Sequence, residues 1–207
     1  MPSMLDQISG YLDQDNVSRL SRNIGASPEV TQQAIGAVLP TLMGALARRA
    51  EQSDGQERLS QALERDHDGS ILDNLGGFFD PDQDSSRIAG LNAKSMAGGA
   101  ILDHILGSQK GRVGTGVSRA SGLSDGQSMK LMSMLAPLLM GMLGKQKREQ
   151  GLSPGGLGEL LRGESRQVEQ NSPAGSILGR LFDQDGDGDF DLMDIMRFGA
   201  GRLFGKR

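Results

Sequence analysis

The sequence predicts an all-α fold, and two features of its composition lead to that prediction. Leucine occurs 27 times, valine, isoleucine and threonine together occur 18 times, and aromatic residues make up 3% of the 207 residues. Because β-branched and aromatic residues fill pleated sheets, an all-β fold is nearly excluded and a parallel α/β sheet is disfavoured. Glycine and proline together account for 38 residues, so short helices and loose connections are expected.

Apolar spacing places the first helices along the chain. Leu5, Ile8, Tyr11 and Leu12 recur at helical spacing and predict a short first helix. A longer helix is predicted over residues 28–50, because a serine cap, a proline and a glutamate precede an apolar stripe. Shorter helices are predicted over 58–65, 71–79 and 86–106, with a loop over 80–84.

An internal repeat appears when the chain is compared with itself at an offset of 97 residues. Nine of 26 aligned positions in segments 21–46 and 118–143 are identical, including Pro40 and Pro137. A proline inside a helix presses on the carbonyl four residues earlier, here Gly36 and Ser133. We therefore expect two kinked helices packed about a pseudo-twofold axis; the alternative is a coincidence between two helices rich in leucine, methionine and glycine.

Several segments resemble a known bacterial family. Residues 66–73 read DHDGSILD, residues 98–107 read GGAILDHILG, and residues 121–124 read SGLS before the Leu-Ala-Pro-Leu of 135–138. The pattern is similar to domain-of-unknown-function family 937, related to the YidB-like proteins. The resemblance covers residues 1–150 and implies a compact all-helical bundle there. Since the family carries no established activity, it implies no catalytic residue.

The chain becomes polar after the predicted bundle. Residues 151–171 are polar and contain glycine, proline and serine, a composition that predicts a flexible linker. One short, apolar helical patch over 157–161 is expected to dock on the bundle. Residues 172–207 then form a separate C-terminal tail.

The tail contains a twelve-residue segment with the spacing of an EF-hand calcium loop. Gly188 stands at position 6, where the loop bends sharply, and Phe190 at position 8 is the apolar residue that seats the loop. The predicted calcium-binding residues are Asp183, Asp185, Asp187, Asp189, Asp191 and Asp194.

These aspartates have different predicted roles. Asp183, Asp185 and Asp187 offer side-chain oxygens at positions 1, 3 and 5, whereas Asp189 offers its backbone carbonyl and Asp191 binds directly or through water. Asp194 stands at position 12, where calmodulin-type loops have glutamate, and in this the segment is similar to dockerin-type loops. The flanking segments 176–182 and 192–204 are predicted to be helical. The alternative is an acidic, solvated loop.

A degenerate second loop is a weaker metal candidate. Glu64, Asp66 and Asp68 take positions 1, 3 and 5 when Gly69 is placed at position 6. Leucines stand at positions 9 and 12, so two ligands are missing. We favour an Asp-Gly turn followed by a helix capped by Ser70.

Composition also limits the function classes. A net charge of −4 and the absence of tryptophan argue against nucleic-acid binding, which needs basic and stacking surfaces. His67 and His104 show no paired carboxylates in a recognisable catalytic spacing, so surface or packing roles are expected for them. The glycine-rich residues 107–114 lack the ending of a phosphate loop and predict a turn. The methionines of 129–142 are expected in the core rather than on an adaptable surface.

Two function classes follow. The first is a non-enzymatic bacterial protein, expected in the cytoplasm, that binds calcium through its tail and has an unidentified protein partner. The alternative is a membrane-surface module that uses the basic and apolar residues of 197–207 and the basic cluster of 145–148.

Overall fold

The computed structural model describes residues 3–80 and 89–171. These ranges contain α-helices, two short 3₁₀ helices and no β-strand, which confirms the all-α prediction. The α-helices are α1 (Met4–Tyr11), α2 (Gln14–Ile24), α3 (Pro28–Arg49), α4 (Ser53–Asp66), α5 (Leu75–Phe79), α6 (Ala89–Leu106), α7 (Lys110–Ser121), α8 (Asp125–Gln150) and α9 (Pro154–Asn171), and the 3₁₀ helices are Ser70–Asn74 and Gly107–Gln109.

Helix α8 lies at the centre of the bundle. Every residue from Leu131 to Gly144 is buried except Ser133, which is half-buried. Helices α3, α4, α6 and α7 pack against α8, and α2, α7 and α9 pack against α3. A helix that is apolar around its whole circumference needs such cover on all sides. The methionines of α8 confirm the core prediction: Met132, Met134, Met140 and Met142 are buried, and Met129 packs against the core.

Helix α3 is also apolar. Among the described residues it is the one helix whose length and composition would let it cross a membrane, yet 56% of its most apolar window is buried inside the bundle. The core helix of a globular domain and an N-terminal signal sequence pass the same test, so this property is weak evidence for a membrane span.

The two segments compared in the sequence have helix ends at matching positions. Helix α2 ends at Gly25 (φ 73°) and α7 at Gly122 (φ 75°), both in the left-handed conformation that favours glycine. Each glycine donates its backbone N–H to a serine carbonyl at 2.9 Å, Ser21 in one case and Ser118 in the other.

The next helix in each segment begins after a serine cap. The Ser27 hydroxyl accepts a hydrogen bond from the Val30 N–H, and the Ser124 hydroxyl accepts one from the Gln127 N–H, both at 3.3 Å. The Gln127 side chain also accepts from the Ser124 backbone N–H at 2.9 Å, which completes a capping box. The capping box predicted for this segment is therefore present.

Prolines lie inside both long helices. Because Pro40 and Pro137 have no N–H, the carbonyls of Gly36 and Ser133 lack the usual helical donor. The Ser133 carbonyl is covered by α6, where a Cβ on Gly98 would lie 2.1 Å from its oxygen. The predicted kinks stay a prediction.

Helices α2 and α7 lie where the sequence predicts no helix. Helix α2 contributes Val17, Leu20 and Ile24 to the core. Helix α7 begins at Lys110, so the predicted turn over 107–114 is wrong beyond its first three residues. The predicted first helix corresponds to α1, and the loop predicted over 80–84 lies outside the described residues after its first position.

Helix α9 occupies most of the segment expected to be a flexible linker, residues 151–171. Pro154 begins the helix, and the Ser153 hydroxyl accepts a hydrogen bond from the Gly156 N–H at 3.2 Å. Leu157 and Leu161 are 0% exposed, as expected for the apolar patch. The linker prediction differs from the structure because composition favours a loop, whereas two buried leucines and a cap stabilise a helix here.

Candidate functional site

A cavity of about 340 Å³ opens between α1, α3 and α9. This volume is at the lower end of the range of ligand pockets, about 300–1,000 Å³. Its apolar lining consists of Leu5, Leu12, Val17, Ile35, Leu39 and Pro40. Its polar lining consists of Ser3, Asp6, Ser9, Gln32 and Gln167, and Gly36 completes the wall. The cavity therefore suits an apolar group whose edge is polar.

The α3 wall of the cavity contains the freed carbonyl described above. Gly36 is exposed and Pro40 half-buried. Apart from the neighbouring backbone of α3 itself, no described atom lies within 4 Å of a Cβ built on Gly36. A group entering the cavity thus meets little steric resistance at this turn of α3.

Hydrogen bonds at the start of α1 fix one edge of the cavity. The Ser3 hydroxyl accepts from the Asp6 N–H, and an Asp6 carboxylate oxygen accepts from the Ser3 N–H, both at 3.0 Å. These bonds to Ser3 hold the pKa of Asp6 below its usual value. Asp6 is therefore ionised at neutral pH and puts a negative charge on the rim.

A second carboxylate joins α9 to the same edge. Glu164 accepts a hydrogen bond from the Met4 N–H at 2.8 Å. Burial raises the pKa of Glu164, the Met4 hydrogen bond opposes that shift, and the charge of Asp6 adds to it. Two carboxyl groups near one cavity thus have pKa values shifted in opposite directions, and both are held by helix-end hydrogen bonds.

The predicted calcium-binding residues lie outside the described part of the chain. The structure therefore does not test whether one ion could be bound by Asp183, Asp185, Asp187, Asp189, Asp191 and Asp194. The helices predicted on either side of that loop lie outside it as well.

The second acidic candidate, after α4, is described in full. Asp66 forms an ion pair with Arg65 at 2.8 Å, and hydrogen bonding from Arg65 lowers the pKa of Asp66. Glu64 pairs with Lys147 on α8. Across residues 3–80 and 89–171, no group of three or more histidine, aspartate or glutamate side chains could hold a metal ion.

The turn itself has the predicted form. Gly69 has φ 84°, and the Asp68 carboxylate accepts the Ser70 N–H at 3.0 Å. Ser70 begins a 3₁₀ helix rather than capping an α-helix. The cavity, by contrast, was not predicted, although the proline inside α3 was the one sequence feature that pointed to its wall.

Comparison with known proteins adds the family. The model of a family described as "Bacterial protein of unknown function (DUF937)" matches residues 6–146. The chain belongs to the DUF937 family. The DUF937 match runs from α1 into α8 and stops before α9, so one wall of the cavity lies outside it. No curated protein and no solved structure matches the chain.

Proposed function

We propose that this DUF937 protein is a non-enzymatic, calcium-binding protein whose tail binds the ion through residues 183–194. The observation that supports the proposal is the order of residues in this segment, with aspartate at positions 1, 3, 5 and 9, Gly188 at position 6 and Phe190 at position 8. Calcium needs several hard oxygen ligands at about 2.3–2.6 Å, and this spacing supplies them. Bound calcium would neutralise the aspartates and let the neighbouring apolar residues dock.

The state of the other acidic turn favours the tail as the metal site. Glu64 and Asp66 form ion pairs with Lys147 and Arg65, and Asp68 caps the Ser70 N–H. Recruiting these three groups to a cation would cost the contacts that they make in the bundle. The tail is therefore the segment to test first.

Calorimetric titration of the full chain with calcium tests the proposal. A lone loop that ends in aspartate should bind with a Kd on the order of 10⁻⁵ to 10⁻³ M. Asp185→Ala removes a side-chain ligand and should weaken binding at least tenfold. Asp189→Ala is the matched control, because this position offers only its backbone carbonyl, and Asp191→Ala should be intermediate.

Two results would contradict the proposal. Nanomolar affinity, or no binding at about 10 mM calcium, would exclude a lone loop of this type. Equal losses for Asp189→Ala and Asp185→Ala would mean that the aspartates act as an undifferentiated acidic cluster.

The membrane-surface alternative depends mainly on residues 197–207. In the other basic cluster, Lys147 pairs with Glu64 and Lys145 lies 4.0 Å from the Glu149 carboxylate, which reduces the positive charge available to anionic lipid. Flotation of the full chain with anionic vesicles, with and without calcium, tests this alternative. Binding that vanishes with Arg197→Glu and Arg202→Glu together would support it.

We also propose that the segments around α3 and α8 are copies of one unit. The matched glycine ends, serine caps and internal prolines support this proposal. A pseudo-twofold packing would pair α3 with α8, α2 with α7, and α4 with α9. An experimental structure in which these pairs do not superimpose would contradict it.

A further inference from the structure

The cavity between α1, α3 and α9 lies close to the end of the described chain. Gln167 lines it, and α9 ends one turn later at Asn171, about 6 Å along the helix axis. Residues 172–174 can span at most about 10 Å more. The segment that starts at Gly175 therefore begins within reach of the cavity.

This segment repeats one that the structure describes. Residues 175–181 read GSILGRL and residues 69–75 read GSILDNL, so five of seven positions are identical. Each segment follows a helix by a few residues, α4 in one case and α9 in the other, and these two helices pack against each other. The repetition thus occurs at corresponding places in the chain.

The described copy covers the proline turn of α8. Gly69, Ile71 and Pro137 surround one small gap, and a Cβ on Gly141 would lie 2.5 Å from the Ile71 side chain. Ile71, Leu72 and Leu75 are buried. In the sequence alignment, Pro40 is the counterpart of Pro137, and Pro40 lines the cavity.

We propose that residues 175–182 dock in the cavity beside Pro40, as residues 69–75 cover Pro137. Ile177, Leu178 and Leu181 supply aliphatic groups that match the apolar lining. Arg180 brings a positive charge to a rim that carries the ionised Asp6. The inference does not rest on calcium binding, although the predicted loop starts directly after Phe182 and would be anchored by this docking.

Paramagnetic labelling of the full chain tests the proposal directly. The chain has no cysteine, so Gly179→Cys gives a single attachment point for a nitroxide. The methyl resonances of Leu12, Ile35 and Leu39 should lose intensity, because these residues line the cavity. Ile105 is the internal reference, since its carbonyl accepts from Arg49 at the far end of α3.

A matched pair of glycine variants makes the test specific. In the labelled chain, Gly36→Leu places a side chain in the cavity and should restore the lost intensity by displacing the tail. Gly163→Leu is the control, because Gly163 is also an exposed helical glycine with no described atom near its Cβ but does not line the cavity. Ile177→Asp in the tail should have the same effect as Gly36→Leu without changing the bundle.

Three outcomes would overturn the inference. The first is no loss of intensity at the cavity methyls in the labelled chain, or a loss that survives Gly36→Leu. The second is a loss that appears only with calcium and not in chelator, which would support the calcium proposal but assign the docking to the metal loop. The third is the same loss in a mixture of labelled and isotope-enriched chains, which would identify a second copy as the occupant.

Discussion

The segments 40–46 and 137–143 share five of seven residues but have different surroundings. Pro137 is buried, and the carbonyl that it frees lies under Gly98 of α6. Pro40 is half-buried and borders the cavity, next to the exposed Gly36. The local sequence therefore sets where a helix loses a hydrogen bond, and distant elements decide whether that place is covered.

A glycine in α8 explains how the turn after α4 packs so closely against this helix. A Cβ on Gly144 would lie 1.8 Å from the His67 carbonyl oxygen, so the turn after α4 can touch α8 only where side chains are absent. The aligned position on α3 is Ala47, which is buried. The two helices are thus adapted to different neighbours.

Removing α9 should lower the free energy of unfolding more than any other change proposed here. Helix α9 packs on α3, as α4 packs on α8. A chain ending at Gln150 loses the burial of Leu157 and Leu161, about 1.5–3 kcal/mol for each. We expect its free energy of unfolding in urea to fall by about 3–6 kcal/mol relative to a chain ending at Asn171. Equal stability of these two chains would show that α9 contributes nothing to the bundle.

The next effect tests the glycine contact itself. Gly144→Ala introduces in α8 the residue that α3 has naturally, and its Cβ would meet the His67 carbonyl. We expect a loss of about 1–3 kcal/mol, because overpacking exceeds the gain in helix propensity. Gly163→Ala, where no described atom lies near, should instead gain about 0.5–1 kcal/mol in the same urea measurement.

The serine caps offer a smaller comparison. Ser124 belongs to a capping box, whereas Ser27 accepts a single hydrogen bond from the Val30 N–H. Ser124→Ala should therefore cost about 1 kcal/mol and Ser27→Ala about 0.5 kcal/mol in thermal unfolding. The reverse order would mean that the second hydrogen bond of the capping box adds nothing to the start of α8.

The smallest effect is a pH dependence at the cavity edge. The folded-state pKa of Glu164 is raised, so folding favours the protonated carboxyl group. The contribution of Glu164 to the free energy of unfolding is therefore full below the usual carboxyl pKa, and it is lost as pH rises through the raised value. The pKa of Asp6 is lowered, so its contribution is present above the usual value and is lost as pH falls through the lowered one.

Urea unfolding over a pH series checks these signs. Relative to the natural chain, Glu164→Gln should gain stability as pH rises through the carboxyl range, whereas Asp6→Asn should lose it. Slopes of the same sign for both variants would contradict the opposite shifts.

The sequence predicted the helices that combine an apolar stripe with end signals. The start of α3 after Ser27 and of α8 after Ser124 confirms that such caps locate a helix. Helix α7 was missed because its glycines argue against a helix, yet a Cβ on Gly114 would lie 2.6 Å from the Met129 sulfur. The sequence does not display this close approach of α7 to the flexible Met129 side chain of α8.

The candidate site was less predictable than the fold. The cavity exists because α1 and α9 meet on α3 through contacts such as Glu164 with Met4, which are 160 residues apart in the chain. No local pattern encodes such a meeting. The predicted calcium loop, in contrast, is entirely local and stays a prediction.

The burial of α8 has a consequence for hydrogen exchange. Its backbone amides from Leu135 to Leu143, apart from Pro137, which has none, lie in a stretch where every residue is buried, so solvent reaches them only when the surrounding helices separate. These amides should exchange with deuterium at the rate set by global unfolding, whereas those of α1 exchange through local opening. The exchange rate of each amide in the centre of α8 therefore reports the free energy of unfolding of the whole bundle.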